Sequence, residues 1–178
     1  MIEFNFDDFF ITSDTWFGRN NILNIANRPF ASVEEMDHQL VEKWNNRVKP
    51  NDVVLHLGNF AWDTISASKA LKNLNGKIYF ILGNIDEILL NVAPEFKNKI
   101  QIFVDQILQL NHVDSIMSHY PLLDWAGRET GTLHFHGHSI YSNKTDLRAS
   151  KRFNMCCDYW SYAPVKYSTL KEIADEEN

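Results

Sequence analysis

Three histidines fall within the stretch Leu133-His134-Phe135-His136-Gly137-His138-Ser139-Ile140, around one glycine and inside a run that otherwise alternates as a strand does. Imidazole is the commonest neutral metal ligand, and a strand ending at Gly137 can turn and aim His138 into a cleft. His134 and His136 share one face of that strand, where hydrogen bonds to neighbours account for them without a metal. His138, just past the glycine, is the candidate ligand. Other polar residues recur at the ends of apolar runs. Asp14 closes Phe9–Asp14, Asn59 follows Gly58, Asn84 follows Gly83, and His119 ends Ser115–His119. Strand ends in α/β sheets are where sites collect, so one rim is expected to carry the chemistry.

The elements that position these residues are readable in order. Three strands, Phe9–Asp14, Asp52–Asn59 and Lys77–Asn84, are separated by helical patterns, which argues for parallel βαβ units. The first helix starts at Ser32, where Ser32 and Glu35 form an S-x-x-E capping box, and runs to Val48 before Pro50. A shorter one passes through Ala67, Ala70, Leu71 and Leu74 and ends at Asn75-Gly76. From about Ile100 the texture becomes strands without helices: 101–104, 107–110, 115–119 and 132–138, with a hairpin-like turn at 111–114 and a last strand over 153–159. A second capping box, Thr169 with Glu172, predicts a C-terminal helix. The expected fold is α/β, a layered sandwich of two mixed β-sheets flanked by helices, in a single domain over 1–178.

Composition narrows the function classes. With 178 residues, 44% of them hydrophobic, the chain can bury a sizeable core. Its 17 Lys+Arg against 23 Asp+Glu give a net charge of -6, which disfavours long nucleic acid as a partner. No apolar run reaches the length of a membrane span and the first residues lack the basic start of a signal peptide, so the expected location is cytoplasmic. Cys156 and Cys157 are adjacent in a strand-like run and read as packed thiols, not as a disulfide or a zinc pair.

The order Asp14, Gly58-Asn59, Gly83-Asn84-Ile85-Asp86, His119 and Gly137-His138-Ser139-Ile140 resembles the calcineurin-like metallophosphoesterases, whose pattern is D-x-H, G-D, G-N-H-D/E, H and G-H-x-H. The likeness extends to non-catalytic wording shared with small bacterial and phage members: Ile11-Thr-Ser-Asp-Thr, Asn27-Arg-Pro-Phe-Ala-Ser-Val-Glu-Glu-Met-Asp, His56-Leu-Gly and Ser118-His-Tyr-Pro-Leu-Leu. In that family two metal ions are held. Carried over, the first would use Asp14 and positions 16, 59 and 140, of which only Asp14 survives beside Trp16, Asn59 and Ile140. The second would use position 59, Asn84, His119 and His138, and there only position 59 has changed.

Tryptophan and isoleucine offer a cation no lone pair, and asparagine loses the charge and second oxygen that let aspartate bridge two metals. The phosphate-facing family histidine after G-N is Ile85, which neither donates a proton nor stabilises charge, so no catalytic residue is expected. A further family histidine, in F-G-H-x-N, is Arg19, which can still bind phosphate. The resemblance therefore implies a degenerate member. Its first site is plugged by Trp16 and Ile140, and Asp14, Asn84, His119 and His138 remain as a vestigial, weak metal set. No cofactor would be tightly bound, and at most one divalent cation (manganese, nickel, zinc or magnesium) would be weakly held. Losing one ion, the bridge and the histidine should remove most of the roughly 8–23 kcal/mol that enzymes supply. The expected function is a pseudoenzyme that binds a small phosphate-containing ligand, such as a nucleotide, or a protein partner. The binding candidates are Trp16, Arg19, Asn59, Asn84 and Ile140. The alternative is a weak or mononuclear metal-dependent phosphodiesterase or phosphatase. Trp16, Trp62, Trp125, Phe17 and Phe60 lie in predicted loops, where aromatic faces could stack on bases with Arg19 or Arg128 on a phosphate.

Overall fold

Near-continuous apolar runs, too uniform for a half-solvated strand, become the centre of a parallel sheet covered on both faces. In the computed structural model, which describes residues 8–103, 105–110, 113–140 and 151–176, these runs are β1 (Phe10–Thr12), β2 (Val53–His56), β3 (Lys77–Ile81) and β4 (Ile100–Phe103). The sheet order is β4-β3-β2-β1-β9, with β9 (Val165–Lys166) antiparallel to β1. Thr12 pairs with His56 and His56 with Phe80, so the C-terminal ends align and the loops carrying Asp14, Asn59 and Asn84 leave along one rim.

The second sheet, β5-β6-β7-β8, runs Ile107–Leu110, Ser115–Ser118, Leu133–His136 and Arg152–Asn154. The pair β5/β6 is an antiparallel hairpin, while β6, β7 and β8 are parallel. Ser118 faces His136 across the ladder, so His119 and Gly137-His138 also leave side by side. Strand alternation divides the apolar residues. Phe9, Ile11, Leu55, Tyr79, Met117, Phe135 and Phe153 fill the space between the sheets. Phe10, Val54, Ile78 and Phe80 pack outward against Met36, Leu40 and Trp44 of α2 (Val33–Arg47) and Ala67, Ala70 and Leu71 of α3 (Thr64–Asn73). The remaining helices are α1 (Ile22–Ile25), α4 (Glu87–Val92) and α5 (Tyr167–Asp175).

Ser32 caps α2 as its sequence predicts, accepting Glu35 N–H at 3.2 Å, while the Glu35 carboxylate accepts from Ala31 N–H. The second capping box does not form. Helix α5 begins at Tyr167 with no cap from Lys166, and Asp8, distant in sequence, accepts from Ser168 N–H instead. Three further differences concern strands. The segment from Ile100 joins the first sheet as its parallel edge and not the second sheet. The predicted strand over 153–159 stops at Asn154, and Cys157–Trp160 is a single tight turn. The two-residue β9 was not anticipated, nor were α1 and α4, which are too short to show a period. Val104, Asn111 and His112 lie outside the described residues. Both cysteines are buried and free, and burial pushes their thiols well above the usual range, as packed thiols require. No helix among the described residues is long and apolar enough to cross a membrane.

Candidate metal centre

Asp14, Trp16, Asn59 and His138 all take left-handed backbone conformations, with φ of 55°, 57°, 59° and 65°. Non-glycine residues there carry strain, which persists where surrounding contacts fix it and concentrates at functional sites. Gly58 allows a close approach: a Cβ on it would stand 2.5 Å from His119 Nδ1. Two buried charges hold the loops in place. The Asp86 carboxylate accepts Asn59 N–H at 2.6 Å, Gly83 N–H at 2.7 Å and Phe60 N–H at 2.9 Å. The Arg28 guanidinium, paired in two-pronged fashion with Asp158, donates to the carbonyls of Asp14 (2.7 Å) and Thr15 (2.8 Å). Sequence reasoning assigned neither Asp86 nor the Arg28–Asp158 pair a role. The only signals were the end of Gly83-Asn84-Ile85-Asp86 and charges set beside apolar runs.

Both oxygens of the Asp14 carboxylate are engaged. Its Oδ1 accepts from Asn59 Nδ2 at 3.0 Å, and its Oδ2 accepts from Ser13 Oγ–H and His138 N–H, both at 2.8 Å. Burial raises its pKa, which the nearby His119 and these donors oppose. Trp16 is buried in the outer apolar cluster, where Ile85 and Ile140 also pack. Hydrogen-bond donors and hydrocarbon thus surround Asp14 where cation ligands would be needed.

The neighbouring set is different. His119 Nδ1 lies 2.7 Å from the Leu57 carbonyl, which only accepts, so Nδ1 carries a proton and, in the neutral ring, the lone pair is on Nε2. That Nε2 is 3.2 Å from both Asn84 Oδ1 and His138 Nδ1. Ligands about 2.0–2.1 Å from a shared tetrahedral ion stand roughly 3.4 Å apart, so this spacing fits a cation. Asn84, His138 and Tyr120 are exposed, and the Tyr120 ring lies against both imidazoles, 4.8 Å from that of His119 and 4.6 Å from that of His138.

The two strand imidazoles, His134 and His136, are held within the protein. His134 donates to the Ile116 carbonyl and accepts from Leu122 N–H, and His136 donates to the Gly137 carbonyl. Burial lowers their pKa values to about 3 and about 4, so both are neutral. The loop aromatics do not form a stacking rim. Phe17, Phe60 and Trp125 are buried, and Trp125 Nε1–H donates to the Thr132 carbonyl. Trp62 is exposed, and the Arg19 guanidinium lies 4.9 Å from its ring and 3.8 Å from that of Trp16. Arg128 instead sits over Trp125, within ion-pair distance of Asp124. Two concavities, about 740 Å³ between α3 and α4 and about 370 Å³ between α2 and α3, contain none of the cleft residues.

The calcineurin-like phosphoesterase family model matches residues 9–171. The chain belongs to that family. A curated relative, the uncharacterized protein MJ1445 of Methanocaldococcus jannaschii, is 30% identical over 173 residues, covering 94% of this chain and 91% of its own length. The crystal structure of a protein of unknown function from Aquifex aeolicus, AQ665, shares the fold. Its TM-score is 0.71 at 22% identity, with 93% of this chain and 98% of that one covered. The family is normally metal-dependent. Among the described residues no three His, Cys, Asp or Glu side chains converge on one point. What does converge is two imidazoles with the Asn84 amide oxygen, a neutral donor set compatible with one cation, whereas the Asp14 carboxylate is engaged by hydrogen-bond donors.

Asp37 of α2 ties the loop bearing Trp16 to the helix layer, accepting Gly18 N–H at 3.0 and 3.2 Å from its two oxygens. Burial raises its pKa to about 6. The unfolded chain releases that proton near pH 4, so the folded state binds the extra proton between about pH 4 and 6. This stabilisation is complete below pH 4 and is lost as pH rises through 6. Asp37→Asn, which keeps an acceptor for Gly18, should flatten the melting temperature across that window. An unchanged pH dependence would assign the titration elsewhere.

Proposed function

We propose that this chain is a metallophosphoesterase-fold protein without phosphoesterase turnover, which acts by binding a small phosphate-containing ligand at the old cleft. The observation that supports this reading is the Asp14 carboxylate, the surviving ligand implied by the resemblance, both of whose oxygens are engaged by three hydrogen-bond donors. Two-metal displacement uses one ion to generate hydroxide and both to stabilise the moving oxygens. With Trp16, Asn59, Ile85 and Ile140 in place, neither the first ion nor the phosphate-facing acid is supplied. Arg19, set between two indoles, and the open edge formed by Asn84, His138 and Tyr120 support a binding role.

A second reading, a mononuclear phosphoesterase, draws support from the 3.2 Å spacing around His119 Nε2. One assay separates the two. With manganese or nickel, hydrolysis of bis(p-nitrophenyl) phosphate should stay at the rate of metal alone. Metal-dependent turnover that follows the protein through its final purification step, and disappears in His119→Ala, would establish the mononuclear enzyme.

A further inference from the structure

We infer that Asn59 sets the metal selectivity of the cleft, making it a one-cation site of neutral donors that takes zinc, nickel or cobalt in preference to manganese or magnesium. The inference rests on the reading that the first metal site is lost, and it concerns what the second now holds. The two ends of the Asn59 amide do different work. Its Nδ2 donates to Asp14 Oδ1 at 3.0 Å, and because a carboxylate oxygen only accepts, the orientation of the amide is fixed. Asn59 Oδ1 is therefore turned the other way, and it is a buried oxygen without a hydrogen-bond partner. It borders the space that His119 borders: a methyl built on Gly83 would lie 2.7 Å from Asn59 Oδ1 and 2.8 Å from His119 Cε1. His119 Nε2, with Asn84 Oδ1 and His138 Nδ1 each 3.2 Å away, completes a group of acceptors around one opening. Asn59 Oδ1 is the buried member of this group, and buried acceptors are rarely left unmatched; a cation would match it together with His119 and the exposed Asn84 and His138.

The charge of that donor set decides the ion. Two carboxylates are close, and both are already engaged by hydrogen-bond donors. Asp14 is held by Ser13, Asn59 and His138, and Asp86 by three backbone N–H groups. Hard ions such as magnesium and manganese favour carboxylate, carbonyl and water, whereas imidazole suits zinc, nickel and the cobalt that substitutes for them. A set of two imidazoles and two amide oxygens lacks the anionic ligand that manganese would gain from an aspartate at position 59.

The test titrates cobalt by its visible absorption and manganese by the paramagnetic resonance of the free ion, on the native chain and three variants. The native chain should take up one equivalent of cobalt, displaced by zinc or nickel, with manganese at least tenfold weaker. Asn84→Ala, at an exposed position, should weaken cobalt at least tenfold without altering the fold. Asn59→Asp should raise manganese affinity relative to cobalt at least tenfold. Asn84→Asp, which buries no new charge, should shift the ratio in the same direction if Asn59→Asp does not fold. Absence of cobalt uptake, uptake indifferent to Asn84→Ala, or a manganese-to-cobalt ratio unmoved by the added carboxylate would each overturn the inference and leave the non-catalytic reading standing. Two equivalents bound together with phosphodiester turnover would overturn that reading as well.

Discussion

Asp86→Ala is expected to lower the melting temperature by about 10–30 °C, or to leave no folded protein at growth temperature. Asp86 is fully buried, and its two oxygens are the acceptors for the N–H groups of Asn59, Phe60 and Gly83. Alanine abandons all three donors in an interior where water does not replace the carboxylate. Each buried unmatched amide costs about 1–3 kcal/mol, and in a chain of this size 1 kcal/mol moves the melting point by roughly 2–4 °C. The sum rivals the roughly 5–15 kcal/mol total stability of a typical domain. Asp86→Asn should fall between, because one carbonyl oxygen remains while the amide group turns a donor toward other donors. Ser32→Ala serves as a scale, since losing a helix cap costs about 1 kcal/mol. Thermal melts followed by circular dichroism read all three. If Asp86→Ala melts within a few degrees of the native chain, the rim loops have other acceptors, and Asp86 is not what joins the second and third strand ends.

The sequence made the rim legible because its signals are local. Asp14, Gly58-Asn59, Gly83-Asn84 and Gly137-His138 each follow a run whose apolar pattern identifies a strand, and the parallel order follows from the helices between. The bland reading of His134 and His136 also follows from alternation, and both are held by backbone groups. What stayed hidden is long-range. Asp8 satisfies the start of α5 from the other end of the chain, and Arg28 reaches Asp158 across 130 residues. A capping box at Thr169 is a local pattern, and tertiary contacts overrode it. The strand β4 was assigned to the wrong sheet for a related reason: a four-residue apolar run does not say which edge it will extend.

The aromatic residues show the limit most directly. Phe17 and Phe60 sit in segments that read as loops, yet they are core, because loops pressed between a sheet and its helices contribute to the apolar interior, while Trp125 is buried against His134 of the second sheet. Trp16 differs from these. A large indole in a left-handed conformation is strained, and the family resemblance would put a metal-binding histidine at its position. Burial of its ring and the guanidinium of Arg19 over that ring offset the strain. Trp16 is thus part of the outer core, and on the proposed reading reversing that one residue would not by itself rebuild a site.

Restoring the enzyme should accordingly require four changes at once: Trp16→His, Asn59→Asp, Ile85→His and Ile140→His. Asn59→Asp alone would set a second carboxylate about where the Asn59 amide now meets Asp14, 3.0 Å away. Without a cation between them one of the two acids stays protonated, so that variant should lose stability as pH rises and gain no activity. Adding Ile140→His supplies a ligand while Trp16 still fills the space, and Trp16→His without the others leaves a cavity in the outer cluster. Only the quadruple variant recreates both ion sites with the bridge and the phosphate-facing imidazole. Groups that act as a unit give non-additive effects, so the four triple variants should remain at the native background. Each oriented charge-stabilising group is worth roughly 10²–10³ in rate, so manganese-dependent phosphodiester hydrolysis at least about 10³-fold above native is the expected gain. Manganese stoichiometry should rise to two in the same protein. A quadruple variant that folds but holds no more than one ion would mean that the loop bearing Trp16 has settled into its new packing, and that position 16 no longer reaches the metal.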